Sequence, residues 1–338
     1  MKKIIHLAII SLLLLSGSFL FFKNNASAAE LNFAVETVIP ENQIDKKKSY
    51  FELKMTPGQE QTLEVVLRND TEKEIIVEPK INSAFTNING VVEYGESDKE
   101  LDKSLLYNLK DLITVDESVT IPAQSSITVS LKVKMPPEAY KGILAGGITF
   151  KEKKSEEEST TTQEDNNLAI KNEYAYVVGI VLSESDEAVK PELALNQVVA
   201  DQVNARNAIK ANLQNITPTF VNQLKVTTEI SKKGSKDVLY RTTKEAMQMA
   251  PNSNFDFPTM LEGEKLAAGT YVLNMDASSG ENTWHFEQEF TIDADEAKEL
   301  NKSDVTIHED YTWLYILLSA LGGMLLMLAL YLIFKRKK

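Results

Sequence analysis

The residue types that do chemistry are scarce in this chain of 338 residues, which holds three histidines and no cysteine beside 49 aspartates and glutamates. Without cysteine there is no disulfide, no thiolate nucleophile, no cysteine-ligated zinc and no iron-sulfur cluster. His6 lies in the first apolar run and His308 just ahead of the last, so His285 is the one histidine within a domain. It falls on the polar side of an alternating strand, the place of an exposed structural histidine. No HExxH, GxSxG, P-loop or EF-hand pattern occurs. A glycosidase needs two carboxylates at a fixed separation, which so many acids leave open, yet nearly all of them fall in turns or on solvent-facing alternations. Glu156-Glu157-Glu158 and the group Asp293, Asp295, Glu296 have no ligand loop around them and read as solvated charge. The chain is therefore expected to be no enzyme, with no catalytic residues, no metal site and no cofactor.

Charge narrows the partners. There are 36 lysines and arginines, seven of them at the two ends: Lys2, Lys3, Lys23, Lys335, Arg336, Lys337 and Lys338. The 29 that remain face all 49 acids, a balance of -20 that excludes a nucleic-acid partner held through phosphates. Lys2 and Lys3 precede an apolar run from Ile4 to Phe22, and Ala26-Ser27-Ala28 supplies the small residues of a cleavage site, so residues 1–28 read as a secretory signal peptide. Trp313 to Phe334 is 22 residues without charge. As a helix it measures about 33 Å at ~1.5 Å per residue, enough for a hydrocarbon core of about 30 Å. The basic residues 335–338 follow at once and place the C-terminus in the cytoplasm, which predicts a single-pass cell-membrane protein with its ectodomain outside.

The elements between the ends read as strands. Phe51, Leu53 and Met55 alternate with charges, and Thr56-Pro57-Gly58-Gln59 carries the signature of a type II turn. Leu63, Val65 and Leu67, then Ile75-Ile76-Val77, then Ile127, Val129, Leu131 and Val133 repeat the pattern. Lys141 to Phe150 and Tyr174 to Leu182 add two strands across the polar segment 151–167. The near-continuous apolar run Val177, Val178, Ile180, Val181 suits a central strand folded back into the first sheet. Leu101, Leu105, Leu109 and Leu112 fall at helical spacing and predict an amphipathic helix over Ser97 to Ile113. Past Pro191 six further strands follow, the last with Trp284, Phe286, Phe290 and Ile292 on one face, so that Trp284 is expected in the core. The expectation is all-β: two tandem immunoglobulin-like β-sandwich domains at 31–153 and 168–297, a tether at 298–312 and a transmembrane helix at 313–334. The strand 172–186 is the element that returns across the loop.

Several stretches together resemble the WxL-interacting cell-surface proteins of Gram-positive bacteria. In the first domain these are Phe33 to Gln43 (FAVETVIPENQ), Tyr50 to Leu67, Ala84 to Tyr94 (AFTNINGVVEY), and Ile121 to Phe150 with Pro136-Pro137 and Gly142. They are similar to that family's peptidoglycan-binding domain. Met249 to Phe257 (MAPNSNFDF), Ala268-Gly269-Thr270-Tyr271 and Trp284 to Phe290 resemble its host-binding domain. The resemblance implies a membrane-anchored scaffold that binds peptidoglycan and secreted WxL-domain proteins and has host matrix proteins, fibronectin or collagen, among its partners. A passive stalk, an assembly chaperone for exported proteins and a cell-wall hydrolase are the alternatives.

An acidic ectodomain must hold a neutral to acidic wall glycan by hydrogen bonds and ring stacking, not by charge. Asn42, Gln43, Thr86, Asn87, Asn89 and Tyr94 are residues of that kind, although Asn87-Ile88-Asn89-Gly90 is equally a turn sequence. Asn252 and Phe255, with Phe257, are either an exposed partner-binding strand or an edge strand with core phenylalanines.

Overall fold

The computed structural model describes residues 32–153, 174–307 and 312–336. The signal segment, Glu156-Glu157-Glu158 and His308 lie outside these residues.

Strands β1 (Phe33–Val38), β2 (Phe51–Lys54), β3 (Glu60–Asn69), β4 (Ile75–Ser83), β5 (Phe85–Thr86), β6 (Val92–Glu93), β7 (Ile113–Thr114), β8 (Val119–Ile121), β9 (Ser125–Lys134), β10 (Ile143–Glu152) and β11 (Ala175–Ser183) form the first domain. One sheet runs β1-β3-β9-β7 and faces another of order β2-β11-β10-β4-β8, while β5 and β6 make a separate hairpin. Alternation drives this layering. Leu63, Val65 and Leu67 of β3 are buried between the sheets while Glu64 and Arg68 face water. The turn before β3 has Gly58 at φ 69° and a hydrogen bond from the Gln59 N–H to the Thr56 carbonyl of 3.0 Å. β11 pairs antiparallel with β10 and parallel with β2, so both its edges are occupied, as its apolar run requires.

The sequence pattern misleads between Ser97 and Ile113. Only Leu109–Leu112 is helical (α1), and Leu101 and Leu106 are exposed. Two side chains divert the backbone: Asp102 Oδ1 accepts from the Ser104 N–H at 2.9 Å, and Asn108 Oδ1 from the Lys110 N–H at 3.2 Å. Such local bonds compete with the helix ladder, and Asp102 is committed to the second domain as well.

The second sandwich comprises β12 (Leu193–Val203), β13 (Arg206–Asn215), β14 (Val221–Lys232), β15 (Val238–Met249), β16 (Ser253–Met260), β17 (Gly269–Ser279) and β18 (Asn282–Ile292). Three strands, β12-β13-β16, face four, β15-β14-β17-β18, the four-plus-three layering of an immunoglobulin-like sandwich. Phe290 and Ile292 are buried as the alternation requires, but Trp284 and Phe286 are half-buried at the margin of this core. His285 stands on the outer face, with Nδ1 2.8 Å from Asp276.

Helix α2 (Ala294–Ser303) opens with a capping box between Asp293 and Glu296 and buries Ala297. It does not hang free as a tether. Asn301 bonds the Leu266 N–H and carbonyl at 2.8 Å each, and Asp304 accepts the Asn207 N–H at 2.7 Å. Burial raises the Asp304 carboxyl, but hydrogen bonds from Thr306, Asn207 and Ile307 outweigh it and hold the group below the ordinary carboxylate range. Helix α3 (Thr312–Arg336) is 25 residues long. Its side chains are described from Thr312 to Leu328 and at Lys335. Over the residues whose side chains are described, which in α3 run from Thr312 to Leu328, no helix is long and apolar enough to cross a membrane.

Candidate functional site

The β5–β6 hairpin lies over the outer face of β10 and carries three of the six residues singled out as ligand contacts, Thr86, Asn87 and Asn89, with Tyr94 directly after it. Ala84 ties it down through its N–H to the Ala145 carbonyl at 2.8 Å. Asn87-Ile88-Asn89-Gly90 is its turn: Asn87 Oδ1 accepts from the N–H groups of Asn89 and Val91, and Gly90 takes φ 73°. Asn87 is therefore occupied by backbone geometry, while Asn89 is exposed at the tip.

The hairpin is also the pin of the domain junction. Thr86, fully buried, meets Ser253 at 2.7 Å and accepts the Ala250 N–H at 3.0 Å, and the Gly90 carbonyl accepts the Gln248 N–H at 2.8 Å. Across the same junction the Ile143 N–H reaches the Pro218 carbonyl at 2.9 Å. A small apolar cluster of Ala84, Val92, Ala145, Val181 and Ala250 fills the space between the sandwiches. Asn252, 6% exposed, donates to the Ser104 carbonyl at 3.0 Å, and Phe255, 1% exposed, packs edge-on against Phe257 in the second core. Both expected partner contacts are thus turned inward. The reason for Phe255 is strand parity, since β16 buries its odd residues.

Tyr94 has a different setting. It lines a groove of about 1080 Å³ whose floor is the outer face of β11, with Val177, Gly179 and Val181. Tyr50 forms a second aromatic wall, Tyr176 stands at the rim, and Phe220 with Gln248 closes the end from the second domain. Tyr94 and Phe220 are half-buried and offer ring surface to a ligand, Tyr50 is half-buried with the Lys48 ammonium 5.2 Å from its centroid, and Tyr176 packs edge-on against Phe33 of the first core. A side chain at 179 would fill the floor, for a Cβ there would stand 3.6 Å from Tyr50. Burial, then the neighbouring Tyr50, raises the Tyr94 phenol above its ordinary value, and it stays a neutral donor.

Gln43 acts on this groove through Tyr50. Its side chain donates to the Tyr50 carbonyl at 2.9 Å and accepts the Glu52 N–H at 3.0 Å, fixing the loop that presents the ring. Asn42 lies farther off, paired with Gln61 by two reciprocal amide bonds of 2.8 and 2.9 Å. Sequence reasoning missed Tyr50, Tyr176 and Phe220. The available signal was parity, because Tyr50 precedes the inward Phe51 and must face out.

Glycine floor, ring walls and amides at one end suit a saccharide, whose ring faces stack on aromatics and whose hydroxyls need donors and acceptors. Residues 33–152 match the family model described as WxL Interacting Protein, peptidoglycan binding domain, and residues 165–302 match WxL Interacting Protein, host binding domain. The chain belongs to the WxL Interacting Protein family. Both matching models describe binding domains and neither describes an enzyme. The second match begins ahead of β11, whereas β11 bonds to strands of the first sandwich, so the family boundary and the sheet boundary differ. No curated protein matches this chain. Among solved structures it is similar to a chaperone-tip adhesin complex of CFA/I fimbriae, at 12% identity over 77% of this chain and 98% of the other, TM-score 0.31. The Csu pili chaperone-tip adhesion subunit complex of Acinetobacter baumannii aligns at 12% identity over 69% and 93%, TM-score 0.31. The E. coli chaperone DraB aligns at 15% over 76% and 99%, TM-score 0.26. These scores carry no argument about function.

Proposed function

We propose that this chain is a surface scaffold, anchored by α3, that holds peptidoglycan in the Tyr50–Tyr94 groove and associates with secreted WxL-domain proteins. The observation that carries the reading is the aromatic groove with its glycine floor, set in the domain that matches the peptidoglycan-binding model. Anchoring is supported by the uncharged stretch Trp313 to Phe334, which lies within α3 and is followed by basic residues. The signal-like N-terminus supports export, with the ectodomain outside and the C-terminus cytoplasmic. Adhesion to a host matrix protein belongs to the second sandwich, on the strength of its matching model.

Co-sedimentation of the full chain with purified sacculi tests the central claim. Tyr94→Ala is expected to weaken retention by about tenfold, the worth of one stacked ring. Retention is expected to hold at high salt, because rings and amides are screened little. Wild-type protein that stays in the supernatant would leave the passive stalk as the better account, and soluble muropeptides in the supernatant would indicate a hydrolase. Membrane fractionation with external protease checks the topology, and pull-down from native envelope checks the WxL partner.

A further inference from the structure

We propose that the cleft on the other side of the domain junction is a second binding site, for a neutral, hydroxyl-rich sugar chain, and that it exists only while the two sandwiches are docked. The cleft has a volume of about 1400 Å³ and takes its walls from both domains. One wall is the outer face of the β12-β13-β16 sheet. Ala211 and Leu213 of β13 point into the core, which turns Asn212 and Gln214 outward; Phe255 and Phe257 of β16 do the same for Asn254 and Asp256. Register sets Asn212 opposite Asp256 and Gln214 opposite Asn254.

These side chains are bonded into one ladder. Asn196 donates to Asn212 Oδ1 at 2.8 Å, and Asn212 donates to Asp256 Oδ1 at 2.8 Å and Asn254 Oδ1 at 3.1 Å. Gln214 and Asn254 both donate to the carboxylate of Asp102, which reaches over from the first domain. Each amide is thereby locked in one orientation, so little ordering remains to oppose binding. The ladder bonds leave free the side-chain carbonyl oxygens of Asn196 and Gln214, the second oxygen of Asp256, and one side-chain N–H each on Asn196, Gln214 and Asn254. Donors and acceptors in equal number, held half-exposed on a flat face, match vicinal hydroxyls, each of which both donates and accepts.

Three features narrow the ligand. Seven carboxylates line the cleft against five lysines, two of which are paired with Glu78 and Glu96, so an anionic sugar is disfavoured. Of the two rings at the cleft, Phe255 is buried in the second core and Phe85 is capped by the Lys99 ammonium at 5.5 Å from its centroid, so the grip is on hydroxyl edges and not on ring faces. The groups on offer are side-chain amides and a carboxylate on the sheet face, with Asn212 and Gln214 on the central strand of the three, whereas a peptide added as a strand bonds backbone to backbone along a sheet edge.

The test is binding of neutral tetrasaccharides (cellotetraose, mannotetraose and the β-1,4-linked N-acetylglucosamine tetramer) to the full chain in detergent micelles, by saturation-transfer NMR and calorimetry. A uronic-acid tetramer and a wall stem peptide serve as controls. At least one neutral sugar is expected to bind, and the paired variant Asn196→Ala/Asp256→Ala to weaken it by about tenfold, as lost hydrogen bonds to a charged and a neutral group should. Asn196→Ala alone, at an exposed position, guards against misfolding and is expected to give a smaller loss with unchanged melting. Tyr94→Ala is expected to leave this binding intact, which separates the cleft from the groove. Binding of no neutral sugar, preference for the uronate or the peptide, or loss through Tyr94→Ala with none through the ladder variants would overturn the proposal.

Discussion

Two asparagines do the same work in the two sandwiches. Asn69 ends β3 and Asn215 ends β13, and both are fully buried. Asn69 donates to the carbonyls of Lys73, Ile121 and Pro122 and accepts from Thr71; Asn215 donates to Thr219 and Ala250 and accepts from Thr217. Each Asn-x-Thr triplet is thus a corner brace, and its sequence alone reads only as a turn. Asn215→Ala strands the Thr219 carbonyl and leaves the buried Ala250 carbonyl with the Ser253 hydroxyl alone, and is expected to cost about 2 kcal/mol, read from the denaturant midpoint. Trp284→Ala should cost less than a full core truncation, about 1 to 2 kcal/mol, since only part of the ring leaves water. A loss above that range would mean the indole is buried more deeply than its half-buried setting at the core margin implies.

At the scale of elements, strands were legible because a buried sheet face imposes period two, and every strand from Leu63 to Ile292 with clean alternation is present. The element from Ser97 to Ile113 was not legible, because its leucine spacing competes with the local bonds of Asp102 and Asn108, and both side chains are also held by residues remote in sequence. The same distance hid the groove: Tyr50, Tyr94 and Phe220 come from separate segments, and only Tyr94 was singled out as a ligand contact. Close approach inside the first sheet is tighter than the pattern implies. A Cβ on Gly146 would collide with the Asn82 carbonyl and stand 2.6 Å from Leu109. Gly146→Ala is therefore expected to lose about 1 to 3 kcal/mol or more through overpacking, measured by thermal melting.

The whole molecule behaves as two sandwiches joined by a bonded junction. Thr86–Ser253, Ile143–Pro218, Gly90–Gln248 and the Asp102 contacts cross it, and intact chain is expected to melt in one calorimetric transition below which neither sandwich unfolds alone. Burial raises the Asp102 carboxyl, but hydrogen bonds from Asn254, Ser104 and Gln214 outweigh it and bring the group below its ordinary value. A depressed carboxylate stabilises the folded state above its unfolded pKa of about 4 and loses that contribution as pH falls through the lower folded value. Acidification below about pH 4 should therefore weaken the junction by the share that Asp102 carries, and Asp102→Asn should flatten that dependence; the melting temperature followed against pH reads both. The return of β11 has a further consequence for the order in which the molecule comes into being. A chain emerging N-terminus first exposes β2 and β10 with a vacancy between them, since the strand that joins them ends only at Ser183. Until then two bare strand edges stand open to any passing segment, and the groove has walls but no floor. Acquisition of the wall ligand is thus timed by the chain itself: residue 183 must be out before anything can be held.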